Sequence, residues 1–160
     1  MRALIPVLLL LSACAPQTPS IVGRASVIDG DTLEIHDRRI RLWGVDAPEG
    51  RQSCEDADGA AYRCGQVAAN RLDRHLEDKV VSCFEEDTDR YGRMVARCEV
   101  DGEDVGAWLV GQGLAVRYAR YAGNAYRAEE AAAREARVGV WAGRFTPPED
   151  WRRAQRGGGR

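Results

Sequence analysis

Residues 39–49 constrain the fold of this chain most strongly, because they alternate like a half-buried β-strand and then stop abruptly. Ile40 and Leu42 occupy one face of the predicted strand, and Arg41 and Val45 lie on the other, so Arg41 points away from the core. Pro48 cannot donate to a sheet ladder and therefore ends the strand. Asp46 and Glu49 follow on a turn, where rigid scaffolds often carry functional side chains. An amphipathic strand followed by an ordinary polar turn would give the same pattern.

Short strands and amphipathic helices make up the rest of the chain. Apolar patterns and turn signals predict strands over residues 21–28, 32–36, 39–45, 79–84 and 93–100. Helical periodicity predicts helices over residues 66–77, 104–112 and 124–137. This arrangement predicts an α+β fold, a five-stranded β-barrel of the OB type with three α-helices, whose groove commonly binds nucleic acid. The barrel domain is predicted to span residues 21–145, and residues 146–160 a flexible basic tail.

The first 14 residues have the pattern of a bacterial lipoprotein signal peptide. A basic residue precedes a short apolar run, which is too short to span a bilayer. The sequence Leu11-Ser12-Ala13-Cys14 then resembles a lipobox, which predicts lipidation of Cys14 and a tether over residues 15–20. We therefore expect an exported protein with the membrane as a partner, lipid-anchored to the cell envelope at the periplasm or outer membrane. An ordinary secretory signal is the alternative.

Four cysteines remain after the lipobox, and export to an oxidising compartment predicts that they form disulfides. Three pairings are possible. The favoured bridges are Cys54–Cys64, at a polar surface loop predicted over residues 50–63, and Cys83–Cys98, whose members lie equally far from a hairpin turn. A zinc site is the competing interpretation. It is disfavoured because there is no Cys-x-x-Cys spacing and neither histidine lies near a cysteine pair.

The overall charge does not indicate a nucleic-acid partner. The formal net charge is −2, although a basic patch can still exist locally. Lys79 is the single lysine among 23 basic residues, and arginine is the side chain suited to bidentate phosphate contact. A genome-wide bias toward arginine would produce the same count.

Two acidic turns and two arginines on outward faces are the candidate chemical groups. If the hairpin ends meet, Asp31 and Asp46 reach one hard cation, for which carboxylate oxygens are suitable ligands. Without a cation, such crowded carboxylates raise each other's pKa. Arg41 and Arg93 lie on faces directed away from the core, where two guanidinium groups can offset charge on a phosphodiester. The competing interpretations are an ordinary hairpin turn and surface salt bridges.

Four motifs occur in the order and at the spacing that resemble the staphylococcal nuclease (thermonuclease) family. They lie at residues 27–32, 41–49, 89–93 and 109–115. The resemblance covers residues 21–141 and implies an OB barrel with three helices. Each motif is modest alone, but four in order are specific.

The resemblance implies a calcium site. Asp31 and Asp46 match the carboxylate ligands, and the main-chain carbonyl of Ala47 matches a third ligand. Asp29 would lie just outside the metal's own ligands. The implied cofactor is therefore Ca²⁺.

The resemblance also implies residues that act on the substrate. Glu49 would orient or deprotonate the attacking water, and Arg41 and Arg93 would clamp the phosphate. Tyr91 and Tyr121 would line the nucleotide pocket, although residues 117–121 depart from the family pattern. The implied reaction is hydrolysis of DNA or RNA to 3′-phosphate products by an endonuclease, which we expect to be a monomer. A non-catalytic OB module that binds nucleic acid or an envelope partner is the alternative.

Overall fold

The computed structural model describes residues 17–158. The predicted signal segment and Cys14 lie outside this range, as do the first two residues of the predicted tether. At the other end of the tether, Ser20 N–H donates to the carbonyl of Cys83 at 2.8 Å. Within residues 17–158, no helix combines the length and the apolar character needed to cross a membrane.

Short strands and helices follow one another along the described chain. The strands are β1 (Ile21–Gly23), β2 (Ser26–Asp29), β3 (Thr32–Ile35), β4 (Arg38–Leu42), β5 (Val45–Asp46), β6 (Cys54–Glu55), β7 (Ala61–Tyr62), β8 (Val81–Thr88), β9 (Met94–Val100), β10 (Glu103–Asp104) and β11 (Val116–Arg117). The helices are α1 (Cys64–Leu76), α2 (Val105–Gly111), α3 (Ala119–Ala122), α4 (Arg127–Glu135) and α5 (Pro148–Gly157), with a 3₁₀ turn at Gly139–Ala142.

The main sheet closes on itself. Its strand order is β1-β8-β9-β4-β3-β2, and β10 pairs with β9. Strands β1 and β2 are consecutive parts of one stretch, yet β1 pairs with β8 at one end of the order and β2 with β3 at the other. One continuous stretch therefore joins the two ends, which makes a five-stranded barrel. The predicted α+β fold of the OB type is confirmed.

The barrel interior is filled by aliphatic side chains from alternate strand positions, as period-two patterning requires. Leu33, Ile35, Ile40 and Val81 are fully buried there. Helix α1 covers one side through Ala68, Leu72 and Leu76, which recur every four residues. Asp104 is the N-cap of helix α2, and its carboxylate accepts from Ala107 N–H at 2.9 Å. The three predicted helices correspond to α1, α2 and α4.

Both predicted disulfides are present. Cys83 and Cys98 are directly opposite each other in the β8–β9 register, as the hairpin prediction required. Cys54 and Cys64 join the start of strand β6 to the first residue of helix α1. The loop predicted between these two cysteines contains regular structure, because β6 and β7 form a small hairpin there.

Two predictions were wrong. Val45 was placed on the outward face with Arg41, but it is fully buried. The alternation breaks at Gly44, whose φ of +72° turns the chain after strand β4. Residues 146–160 were predicted to be a flexible tail, but Pro148–Gly157 form helix α5. Pro148 occupies the first turn together with acidic residues, which is a favourable helix start.

Candidate active site

The two acidic turns predicted from the sequence meet at one end of the barrel. Ala47 N–H donates to Asp31 Oδ2 at 3.0 Å, and Leu42 N–H donates to the Asp31 carbonyl at 2.9 Å. Gly30 makes this approach possible, since a Cβ there would lie 2.7 Å from the Cβ of Ala47. The turn after strand β2 and the turn after strand β5 therefore form one structural unit.

Arg41 links the two predicted metal-binding carboxylates. Its guanidinium donates to Asp31 Oδ1 at 2.8 Å and to Asp46 Oδ1 at 3.4 Å. Its other contact is the Val45 carbonyl at 3.3 Å. The β3–β4 register places Arg41 opposite Thr32, beside Asp31 in sequence, so the sheet itself sets this arrangement.

Burial and like charges make this end of the barrel favourable for a cation. Burial raises the pKa of Asp31 to about 6; Arg41 opposes the rise, and the neighbouring carboxylates of Asp29 and Asp46 add to it. For Arg41, burial alone would lower the pKa. Asp31 and Asp46 outweigh burial and hold the pKa of Arg41 above its ordinary value. A cation bound at this end of the barrel would therefore favour the ionised form of Asp31.

Glu49 is held against the first turn of helix α1. Gln52 N–H donates to the Glu49 carbonyl at 2.7 Å, and Glu49 N–H donates to Gln52 Oε1 at 3.2 Å. Gly65 lies directly against this turn, because a Cβ on Gly65 would collide with the Glu49 carbonyl oxygen. The main chain of Glu49 is therefore fixed, while its carboxylate reaches the site.

Arg93 lies on a tight turn that Asp89 organises. Asp89 Oδ1 accepts from the main-chain N–H groups of Tyr91 and Arg93 at 2.9 and 3.0 Å, and Asp89 Oδ2 accepts from Arg93 Nε at 2.7 Å. Burial would raise the pKa of Asp89, but these hydrogen bonds outweigh it and lower the pKa. The side-chain hydrogen bond to Asp89 is made by Nε and so does not use the two terminal nitrogens. Arg93 also lies over the ring of Tyr91, 5.7 Å from its centroid.

A third arginine, Arg152 of helix α5, pairs with Asp46 and Glu49. Its two terminal nitrogens donate to the two carboxylate oxygens of Asp46 at 2.8 and 3.0 Å. The nitrogen nearer Asp46 Oδ1 also donates to Glu49 Oε1 at 2.9 Å. Hydrogen bonds to Asp46 and Glu49 hold the pKa of Arg152 above its ordinary value, although burial opposes the rise.

One open cleft of about 930 Å³ brings the predicted site residues together. All the predicted metal and substrate residues line it except Asp46, which is 1% exposed and bonded to Arg41 and Arg152. Tyr91 and Tyr121 are 73% and 55% exposed at its wall. The cleft thus combines buried acids, several guanidinium groups and exposed aromatic side chains, an arrangement that suits a phosphate flanked by bases.

Comparison with known proteins decides the family. The family model described as "Staphylococcal nuclease homologue" matches residues 39–143, well over half of the chain. The chain belongs to the staphylococcal nuclease family. This confirms the resemblance seen in the sequence and makes the chain a hydrolase of the nuclease class.

Relatives of this staphylococcal nuclease homologue occur in several organisms. The succinoglycan biosynthesis protein ExoI of Rhizobium meliloti (strain 1021) is 42% identical over 135 residues, covering 83% of this chain and 71% of ExoI. An uncharacterized endonuclease of Escherichia coli O157:H7 is 31% identical over 160 residues, covering 95% of this chain and 98% of that protein. Staphylococcal-like nuclease CAN1 of Arabidopsis thaliana is 34% identical over 122 residues, and the match covers 35% of its length.

Sequence reasoning missed three residues of this staphylococcal nuclease site. Arg152 lies beyond the range that the family model matches, and it was missed because residues 146–160 were predicted to be a flexible tail. The proline and acidic residues before it are a helix-start signal that predicts α5. Gln52 is a fully buried polar residue inside a segment interpreted as a surface loop. Tyr118 packs edge-on against Tyr121 at 4.9 Å between ring centroids, and its segment offered no clear periodicity.

Proposed function

We propose that this chain is a calcium-dependent phosphodiesterase that hydrolyses DNA or RNA outside the cytoplasm. The observation that carries the proposal is the bridge that Arg41 makes between Asp31 and Asp46, in the cleft that Glu49 and Arg93 also line. Paired acids, a general base and two phosphate-binding cations are the groups that metal-assisted phosphodiester hydrolysis requires.

The donor set suits a hard cation. Asp31, Asp46 and the carbonyl of Ala47 offer oxygen ligands only, which calcium prefers. Within residues 17–158, no three acidic, histidine or cysteine side chains form a ready cage, so the remaining ligands of calcium would be water. Burial, and after it the neighbouring carboxylates, raise the pKa of Asp31, and this supports the fit because a bound divalent ion would favour the ionised carboxylate. When bound, calcium supplies Lewis-acid polarisation of a phosphate oxygen.

Side chains of this protein would accept the proton of the attacking water and bind the phosphate. Glu49 accepts a proton from the water that attacks phosphorus, and its side chain is exposed enough for water to reach it. Arg41 and Arg93 hold the phosphate oxygens on which charge accumulates. The bond from phosphorus to the 5′ oxygen breaks, and that oxygen takes up a proton as it leaves. The products are a 3′-phosphate and a 5′-hydroxyl.

Exposed tyrosines at the cleft wall would bind the bases. Tyr91 and Tyr121 are largely exposed to solvent, and stacking of bases on aromatic rings is tolerant of base identity. This supports a substrate with unstacked bases, meaning single-stranded nucleic acid. Since the net charge is −2, we expect weaker attraction to long polyanions than a strongly basic nuclease shows.

The test is cleavage by the full chain, purified in detergent. Single-stranded DNA and RNA are incubated with calcium, or with a calcium chelator, and the product ends are identified. We expect calcium-dependent cleavage that leaves 3′-phosphates. Retained binding without calcium-dependent products would contradict the proposal and favour a non-catalytic module that binds nucleic acid.

We also propose that the protein is a monomer anchored to the cell envelope through a lipid on Cys14. The lipobox-like sequence supports the anchor, and the two disulfides support export. Fatty-acid labelling in a bacterial host tests this. We expect label in the wild-type membrane fraction and none after Cys14→Ser. Equal labelling of the two proteins would contradict the anchor.

A further inference from the structure

The C-terminal segment, residues 144–152, contacts the Glu49 turn by two independent routes. It lies wholly beyond the range matched by the family model, and none of the site residues that the family resemblance implies belongs to it. One route runs through the main chain of the Glu49 turn and the other through the Glu49 carboxylate.

The first route is the buried side chain of Gln52. Its Nε2 donates to the carbonyl of Thr146 at 2.6 Å, and its Oε1 accepts from Glu49 N–H at 3.2 Å. Gln52 is fully buried, so both ends of its amide depend on these partners. The C-terminal segment thereby supports the backbone of the residue assigned as general base.

The second route is Arg152. A single terminal nitrogen of its guanidinium lies 2.8 Å from Asp46 Oδ1 and 2.9 Å from Glu49 Oε1. Two carboxylates held this close repel each other, and the Glu49 side chain is exposed enough to rotate away. The guanidinium offsets that repulsion and is fixed in turn by its bidentate contact with Asp46.

The segment is anchored on the body of the protein. Glu55 N–H donates to the Arg144 carbonyl at 2.8 Å, and Arg144 Nε donates back to the Glu55 carboxylate at 2.7 Å. Phe145 packs edge-on against Trp141 at 4.9 Å between ring centroids, beside the Cys54–Cys64 bridge, and Pro148 is buried. These contacts place Arg152 on a supported helix.

We propose that Arg152 is a positioning residue that holds Glu49 beside Asp46, and that the C-terminal segment is a working part of the active site. This inference rests on the proposed nuclease function. Arg152 acts through Glu49, so its loss lowers turnover more than it weakens substrate binding.

Two substitutions at Arg152 and one matched control test this in the full chain. Arg153 is the control because it lies on the same helix, is 67% exposed, and pairs with Glu149 and Asp150 one turn earlier. At saturating calcium with single-stranded DNA, Arg152→Ala should lower kcat about 10- to 100-fold, as expected for a misplaced catalytic group, with KM changed less than about threefold. Arg152→Lys should recover part of kcat, and Arg153→Ala should match the wild type.

Hydrogen exchange of the calcium-free protein gives a readout that does not depend on activity. The main-chain N–H groups of Glu49 and Gln52 should exchange faster in Arg152→Ala than in the wild type. In Arg153→Ala, their exchange rates should equal those of the wild type. Unchanged kcat and exchange in Arg152→Ala would overturn the inference. Higher turnover or tighter calcium binding in that variant would also overturn it, by identifying Arg152 as a competitor of the metal.

The outcomes also separate this inference from the proposed function. If the wild type shows no calcium-dependent cleavage, the proposed function fails, and Arg152 loses any catalytic role even where exchange changes. If the wild type cleaves and Arg152→Ala cleaves equally well, only the positioning role fails. If Arg152→Ala does not fold, Arg152→Lys is the test, because it keeps the charge and loses the bidentate fork. A kcat of Arg152→Lys equal to that of the wild type would then overturn the inference.

Discussion

Gly65 lies so close to Glu49 that an added methyl group would collide with the Glu49 carbonyl oxygen. This contact sets the Glu49 turn against the first turn of helix α1. We therefore expect Gly65→Ala to displace the turn, to lower the free energy of unfolding by about 1–3 kcal/mol as overpacking does, and to reduce cleavage. Urea unfolding and steady-state cleavage measure the two effects.

The control for this prediction is Gly111→Ala. Gly111 is the last residue of helix α2, and the nearest atom that its Cβ would meet is 4.0 Å away. This variant should keep its activity and its stability. If Gly65→Ala behaves in the same way, the close approach does not constrain Glu49.

Local sequence patterns predicted most of the fold because local chemistry determines those parts. Alternation predicted the barrel strands, four-residue spacing predicted helix α1, and hairpin geometry predicted the Cys83–Cys98 bridge. The prediction failed at Val45, because one left-handed residue, Gly44, reset the alternation. His75 stacks on Trp108 at 3.8 Å between ring centroids, a contact that no local pattern encodes.

The candidate site could be predicted only where its residues come from short motifs. Asp31, Arg41 and Asp46 converge because neighbouring strands set their register. Arg152 could not be placed in the same way. It reaches Asp46 across 106 residues of sequence, and its position depends on how helix α5 docks.

Glu49→Gln should remove the general base and leave the fold intact. Loss of general-base catalysis lowers kcat by about 10²- to 10⁴-fold. The amide keeps the size of the side chain, and the main-chain contacts of Glu49 with Gln52 are unaffected. Glu135→Gln, on the exposed end of helix α4, is the control. A cleavage rate within a few-fold of wild type would reject Glu49 as the base.

Arg93→Ala should lower cleavage by about 10²- to 10³-fold, the usual effect of removing one transition-state donor. Arg93→Lys should recover little, because an ammonium group cannot present two parallel donors to a phosphate. Single-turnover cleavage at saturating substrate measures both variants. Full activity in Arg93→Lys would show that charge alone suffices at this position.

The two disulfides should differ in what they control. Replacing either pair with serine removes a constraint on the unfolded chain and lowers the free energy of unfolding by about 2–4 kcal/mol. Loss of Cys54–Cys64 should also reduce cleavage below the unfolding transition, because Cys64 begins the helix turn that carries Gly65. Loss of Cys83–Cys98, on strands β8 and β9, should leave folded-state activity unchanged. Equal activity losses in the two double variants would contradict this division.

Asp31→Asn should stabilise the calcium-free protein at neutral pH. Burial, with Asp29 and Asp46 nearby, raises the pKa of Asp31 from 3.8 to about 6, so the ionised carboxylate is disfavoured in the folded state. Its cost is absent at pH values well below 3.8, and it grows as the pH rises through 3.8 to about 6. We expect the variant to gain about 1–3 kcal/mol of unfolding free energy at pH 7 and almost nothing at pH 3.

Calcium should make the wild type more stable than Asp31→Asn. A divalent ion bound by Asp31 and Asp46 stabilises the wild type by mass action, and the variant lacks one of the two carboxylates. Thermal unfolding at pH 7 with increasing calcium measures the effect, with Asp150→Asn on the exposed face of helix α5 as the control. A wild type whose melting temperature does not rise with calcium would remove the metal site from the proposed mechanism. If Asp31→Asn and the wild type have the same melting temperature in chelator, the ionised carboxylate of Asp31 does not destabilise the calcium-free protein.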